Sequence, residues 1–307
     1  MLCYANSSIL IVCKRFSEEL AKRPYRAKRV HLLRMNTHPL AELPMASKKR
    51  MSIDSRPQDQ NYNRRFQSEE AWNRYIDNIL DRRILPERNV KLYHSEFDEF
   101  KVKLERRNLH KHLANLQEGS IDVAVVKEFY ANFYSPANQA PKCARIRGHL
   151  IRIDADSLNE FLQTPVLLEE GKSLPTYSRF CRLRSDPKEM EASLCIPGKG
   201  FILNTEGQPW KLLRNDLTTL AQTWSVFSYS NLASTSRTSY LNTDRARLVY
   251  GLITRMDMNI GGLISGQMTM MAQSNSSRLG FPTLITTLCR SMWVGSDALT
   301  SYENLRP

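Results

Sequence analysis

The chain has 307 residues, enough for one large domain or two small ones, and its 41% hydrophobic content supports a sizeable core. No run of about 18 apolar residues occurs, which excludes a membrane-spanning helix read from hydropathy. The formal net charge is +13 and it is unevenly placed: residues 1–61 hold 12 Lys/Arg against 5 Asp/Glu, leaving 32 against 26 in residues 62–307.

A basic leader favours an anionic partner such as nucleic acid or a membrane surface, although a solvated basic segment without a specific partner fits the same charge. The apolar run Ile9–Val12 lacks a basic region before it and a small-residue cleavage site after it, so it does not read as a secretory signal. "KRPYRAKRVHLLR" is rich in Arg, but Glu18 and Glu19 speak against an organelle transit peptide. Met45 is a second candidate start, followed by Lys48, Lys49 and Arg50, a cluster too short for a nuclear signal on its own. Residues 1–63 are expected to be a basic, disordered segment and linker, 64–298 the folded body and 299–307 a tail. The six cysteines contain no C-x-x-C pair and no zinc spacing, so reduced thiols are expected, in the nucleus or cytoplasm, with no metal and no cofactor.

Order is expected from about Phe66. "SEEAWNRYIDNIL" predicts a helix capped by Ser68, with Glu69 and Glu70 in its first turn and Trp72, Tyr75, Ile76, Ile79 and Leu80 on one face. "SEFDEFKVKLERRNLHKHLANL" predicts a second, capped by Ser95, with Phe97, Phe100, Leu104 and, less regularly, Val102 apolar, and Glu99 four residues before Lys103. His110 and His112 point to different sides of such a helix and read as solvated. "SIDVAVVKEFYANFY" carries Val123, Val126, Phe129, Tyr130 and Phe133 at helical spacing. That stripe reads as core, with Lys127 and Glu128 off its centre and Asn132 and Tyr134 toward solvent.

The period then changes. "ARIRGHLIRID" alternates, with Ile146, Gly148, Leu150 and Arg152 on one side and Arg145, Arg147, His149, Ile151 and Ile153 on the other. It reads as a strand or hairpin arm in which Gly148 marks a bulge or close approach. Arg145, Arg147 and Arg152 make it the best basic strip of the body, and with Lys48, Lys49 and Arg50 they are the candidate nucleic-acid-binding residues. "DADSLNEFLQTP" returns to helix with Asp154 and Asp156 at its start and a stop before Pro165. Residues 165–210 are irregular, except that "SLCIPGKGFILN" suggests a hairpin joining Leu194–Ile196 to Phe201–Leu203. Four helices follow, roughly "RNDLTTLAQTWSVFSYSNL", "TDRARLVYGLITRM", "GGLISGQMTMMAQ" and "FPTLITTLCRSMW". The methionines among them (Met256, Met258, Met268, Met270 and Met271) are expected to fill core gaps. The fold class is therefore mainly α, with a small β hairpin or sheet in the middle.

The chemistry-bearing patterns are weak. Gly171-Lys172-Ser173 ends like a phosphate loop, but Val166 stands where the first glycine is required. A nuclease of the transposase kind needs converging carboxylates that hold two metals. Asp154, Asp156, Asp216, Asp244 and Asp257 are the candidates, and most sit where helix capping explains them. No catalytic residue is assigned.

"VVKEFYANFY", "RIRGHLIRIDADSLNEFLQTP", "DLTTLAQTWSVFSYSNLASTS", "RARLVYGLITRMDMNIGGLISGQM" and "FPTLITTLCRSMWV" stand in this order. From about Phe66 to Ser296 the chain resembles the putative plant transposon protein domain family. The resemblance implies a transposon-derived plant protein and brings no established catalytic residues. Three functions compete: a non-catalytic nucleic-acid-associated factor of a mobile element, a protein–protein or self-association module, and a degenerate nuclease.

Overall fold

The computed structural model describes residues 65–88, 95–110, 113, 121–134, 142–183 and 186–296. The leader and linker over 1–63, with Lys48, Lys49 and Arg50, and the tail 299–307 lie outside the described residues, as does His112. Ten α-helices and two small antiparallel sheets make up the described part, so the fold is mainly α with a β insertion.

Helix α1, Glu69–Arg74, begins as its residues dictate: Ser68 Oγ accepts from Ala71 N at 3.2 Å, and Glu69 and Glu70 fill the first turn. It runs on as a π-helical turn, Tyr75–Ile79. Each π turn holds more residues than an α turn, so positions after it rotate away from the original stripe. Ile79 is fully buried, but Leu80, expected beside it, is exposed. Helix α2, Asp98–Arg106, follows a 3₁₀ turn at Ser95–Phe97, so Phe97 and not Ser95 occupies the cap position. Phe100 packs its ring on Trp224 and Phe227, and Lys103 pairs with Glu99 at 2.9 Å as the spacing predicts. Val102 is exposed.

Helix α3, Val123–Asn132, is capped by Asp122, whose Oδ1 accepts from Val125 N. The aromatic stripe is core: Val126, Phe129 and Tyr130 have no exposed surface. Strands β1, Cys143–Ile146, and β2, His149–Arg152, form a hairpin packed on α3. Helix α4, Ala155–Leu162, starts at Asp154, whose side chain accepts from Ser157 N at 3.0 Å, and ends with Gln163 in the left-handed region, before Pro165.

Residues 165–210 correct the sequence reading. They hold α5, Thr176–Arg182, and α6, Pro187–Leu194, and the expected hairpin around "PGKG" does not form. Leu194 ends α6, and Cys195 makes an isolated bridge to Leu217. Strand β3, Ile202–Leu203, instead pairs with β4, Pro209–Leu213, which pairs with β5, Tyr240–Asn242. Asp186 at the cap and Pro187 at the first position mark the start of α6 locally. Its buried face, however, consists of Met190 and Leu194 alone, too few positions to define a period.

The four C-terminal helices appear as predicted: α7, Thr219–Phe227, α8, Thr243–Ile253, α9, Ile260–Gln273, and α10, Pro282–Ser296. Helix α7 continues as a π turn, Ser228–Leu232. Met258, Met268 and Met271 are buried, whereas Met270 is exposed. Helix α10 lies against α3 and β2, α8 against α6 and α7, and α9 against α4.

Several helix ends are closed by long-range cations rather than by local residues. Arg74 Nη2 donates to Ala272 O and Ser274 O (2.6 and 2.8 Å), and Arg82 donates to Met271 O, Ser274 O and Ser277 O, all at the C-terminus of α9. Arg107 reaches Gly251 O, Leu252 O and Met256 O, and Lys103 reaches Ile253 O, at the C-terminus of α8. Ser277 and Met256 lie just past the two helices; the other carbonyls belong to the last turns and caps, lack a partner within their helix and carry the negative end of its dipole. Burial, and secondarily neighbouring Arg74, lowers the Arg82 guanidinium to about 10, which keeps it charged at neutral pH.

At the opposite pole, Glu87 closes the N-terminus of α10: Oε2 accepts from Thr283 N at 3.0 Å and Oε1 from Leu284 N at 2.9 Å. Burial raises the Glu87 carboxyl above its ordinary 4.5, against the opposing pull of the Leu284 and Thr283 N–H groups. The folded state therefore keeps this proton at a pH where the unfolded chain has released it. Glu87 must then subtract stability as pH rises above 4.5 and through its folded value. Glu87→Gln is expected to flatten that limb: the difference in Tm, variant minus parent, should rise between pH 4.5 and 7 in thermal melts. A constant difference across that range would contradict it.

Candidate nucleic-acid interface

The β1–β2 hairpin turns through two residues, Arg147 and Gly148, both with positive φ (48° and 89°). Two left-handed residues in succession make the turn whose twist matches paired strands, so Gly148 is the second turn residue and not a bulge. That turn also reverses the expected faces. Ile146 pairs with His149, Arg145 with Leu150 and Ala144 with Ile151. Paired residues share a face, so Ala144, Ile146 and Ile151 are buried while Leu150 accompanies Arg145 outward at 60% exposure.

The three arginines do not form one strip. Arg145 and Arg152 lie exposed on the outer face, and Arg147 stands at the tip. Arg147 is committed: its backbone N and Nε donate to Glu128 Oε1 and Oε2 at 2.9 and 3.0 Å. Arg65 Nε reaches the same Oε2 at 3.2 Å. Arg152 Nε pairs with Asp154 Oδ2 at 3.0 Å. The Ser157 N–H first, and Arg152 among the smaller causes, hold the Asp154 carboxyl down at about 2, so it is charged throughout the neutral range. Arg145 alone of the three has no side-chain partner among the described residues.

Glu128 and Asn132 are the residues that sequence reasoning placed wrongly. Both are buried, Glu128 completely. Asn132 Oδ1 accepts from Gln67 N at 3.0 Å, and its Nδ2 donates to Arg65 O and Arg145 O, each at 2.7 Å. Gln67 Nε2 returns a bond to Asn132 O. Partners on other elements, the farthest 67 residues away, gave no local signal; a lone Glu and Asn on an otherwise apolar helix were the trace available.

The candidate carboxylates are dispersed among structural duties. Asp154 caps α4, Asp244 pairs with Arg247 in the first turn of α8, and Asp216 faces Lys199 at 3.6 Å. Among the described residues no three His, Cys, Asp or Glu side chains group as metal ligands would. Cys143, Cys181, Cys195 and Cys289 are free thiols, and burial pushes Cys195 up to about 11. A cleft of about 120 Å³ lies between α2 and the start of α9, lined by Arg106, Arg107, Thr164, Asp257 and Met258. Its guanidinium at Arg107 is already spent on the carbonyls closing α8. No helix among the described residues is long and apolar enough to cross a membrane.

Fold and surface thus define a mainly α domain carrying a short cationic hairpin. Residues 105–294 match the family described as "Putative plant retrotransposon-related domain", and the chain belongs to that family. Comparison with curated proteins and with solved structures returned no match.

Proposed function

We propose that the chain is a non-catalytic, nucleic-acid-associated factor of a mobile element, working inside the cell in the nucleus or cytoplasm. The observation that carries this reading is membership of a retrotransposon-related family joined to a net charge of +13, more than half of it within residues 1–61. Arg145 and Arg152 on the exposed hairpin face add a cationic element to the body, with Lys48, Lys49 and Arg50 ahead of it. Such contacts reach phosphates and carry no sequence preference. The test is fluorescence anisotropy on single- and double-stranded DNA and RNA over a salt series, with residues 1–307, 45–307 and 62–307. Binding by 62–307 with a salt slope that Arg145→Ala, Arg147→Ala and Arg152→Ala flatten supports the hairpin, and Arg147→Ala should contribute least. Absence of binding by every form would end the proposal.

A second reading, a self-association or protein-interaction module, draws on Leu167, Leu168 and Leu183, exposed at 59, 53 and 68%. Light scattering over a concentration series separates it from the first.

A further inference from the structure

The β3–β4–β5 sheet has one face on the core and one face free among the described residues. Leu212 and Leu241 pair across β4 and β5 and have no exposed surface. On the other face Ile202, Lys211 and Asn242 stand in register, with Leu213 opposite Tyr240 beside them. Strict alternation would send Trp210 inward with Leu212. The pairing, however, shifts: Ile202 is opposite Lys211 and Leu203 opposite Pro209, which leaves Trp210 as an extra residue in β4. A bulge of this kind re-aims the side chain it carries. Trp210 is 49% exposed, and Lys211 Nζ lies 4.0 Å from its ring centroid and 5.5 Å from that of Tyr240.

The result is a half-exposed indole with the Lys211 ammonium over one ring face and Tyr240 nearby, bordered by Ile202, Leu203 and Leu213, which are 38–56% exposed. The three strands contain no Asp or Glu. A tryptophan is expensive to leave in water. The chemistry of the face selects its occupant. A flat π surface with an adjacent lysine, on strands that hold no carboxylate, complements a base and its phosphate, and base–aromatic stacking of this sort is indifferent to sequence. A duplex keeps its base faces stacked inside and cannot use the indole. A second copy of the same face would bring Lys211 against Lys211, and a basic protein partner would meet the same repulsion.

We propose that this sheet face is a stacking platform for single-stranded nucleic acid, with Trp210 receiving a base and Lys211 its phosphate. The proposal rests on the nucleic-acid reading above and adds a surface distinct from the hairpin. The test uses the full chain and labelled oligo-dT, oligo-U and a duplex of equal length, in anisotropy at fixed salt, comparing the parent with Trp210→Ala, Trp210→Phe, Lys211→Ala and the Arg145→Ala/Arg152→Ala pair. Because Trp210 is exposed, the variants should melt like the parent in circular dichroism. Expected is a loss of about 10-fold or more in single-strand affinity for Trp210→Ala, in line with the stacking of a single base. Trp210→Phe should restore most of it, and duplex binding should not move. If Trp210→Ala leaves single-strand affinity unchanged while the hairpin pair lowers it, the platform is overturned and the hairpin reading survives. If the parent binds no oligonucleotide, both fall. If Trp210→Ala changes only the oligomeric state, the face belongs to self-association and the platform is overturned.

Discussion

A chain beginning at residue 105, where the family match starts, is expected not to fold cooperatively, whereas one beginning at residue 62 should give a single sigmoidal melt. The segment ahead of the match supplies the polar closure of two helices inside it. Arg74 and Arg82 satisfy the last carbonyls of α9, and Glu87 satisfies the first N–H groups of α10. Leu85 N donates to Leu279 O at 2.7 Å, and Leu279 N to Arg83 O at 2.9 Å, aligning Ile84 beside Leu279. The segment also buries Phe66, Ala71 and Ile79. Each buried polar group left without a partner costs about 1–3 kcal/mol. Four of these bonds are fully buried, and their loss together with the apolar exposure is comparable to the roughly 5–15 kcal/mol that holds a domain together. Arg82→Ala in the full chain tests the same point at one site and should lower Tm by more than any exposed Arg→Ala. A sharp melt from residues 105–307, within a few degrees of the longer chain, would refute this account.

The second large effect is expected at Gly261. Helices α4 and α9 approach so closely there that a Cβ would lie 2.3 Å from Ala155 O and 2.7 Å from Asn159 N. These are backbone atoms, which cannot swing aside as a side chain can. The contact is also knit by Asn159, whose Oδ1 accepts from Gly261 N at 2.7 Å and whose Nδ2 donates to Asn259 Oδ1 at 2.8 Å. Gly261→Ala must push the helices apart and break that pairing, at the upper end of the overpacking range, about 3 kcal/mol. For a domain of this size that is a fall in Tm of roughly 6–12 °C. Gly266, on the same helix, has open space where its Cβ would be. Gly266→Ala should therefore stabilise by roughly 0.5–1 kcal/mol, through the ordinary helical advantage of Ala over Gly. The opposite signs of two identical substitutions five residues apart are the measurement; equal effects would mean that the close approach does not exist.

The periodic elements were legible because each carried its own start signal and stripe. Ser68 and Asp154 marked beginnings, and the stripe of α3 was long enough to define a face. What failed had a non-local cause. The hairpin alternation read correctly up to Ile146 and then inverted, because a two-residue turn resets which neighbours share a side. Strand β3 was assigned the wrong partner because its true one, β4, is interrupted by the extra Trp210 and begins with Pro209. The cationic strip was visible as composition, but Glu128 and Asp154 take up two of its arginines, and Glu128 was read as lying off the core stripe of its helix.

Residues 65–67 have a mechanical consequence. Three hydrogen bonds and an ion pair join them to Asn132 and Glu128 of α3. The Asn132 amide also grips Arg145 O, on strand β1. Tension on the chain ahead of Arg65 is thus handed at once to a buried helix and to the strand bearing Arg145. Resistance of Arg65 and Gln67 to being pulled free is set by the rate at which this anchorage breaks.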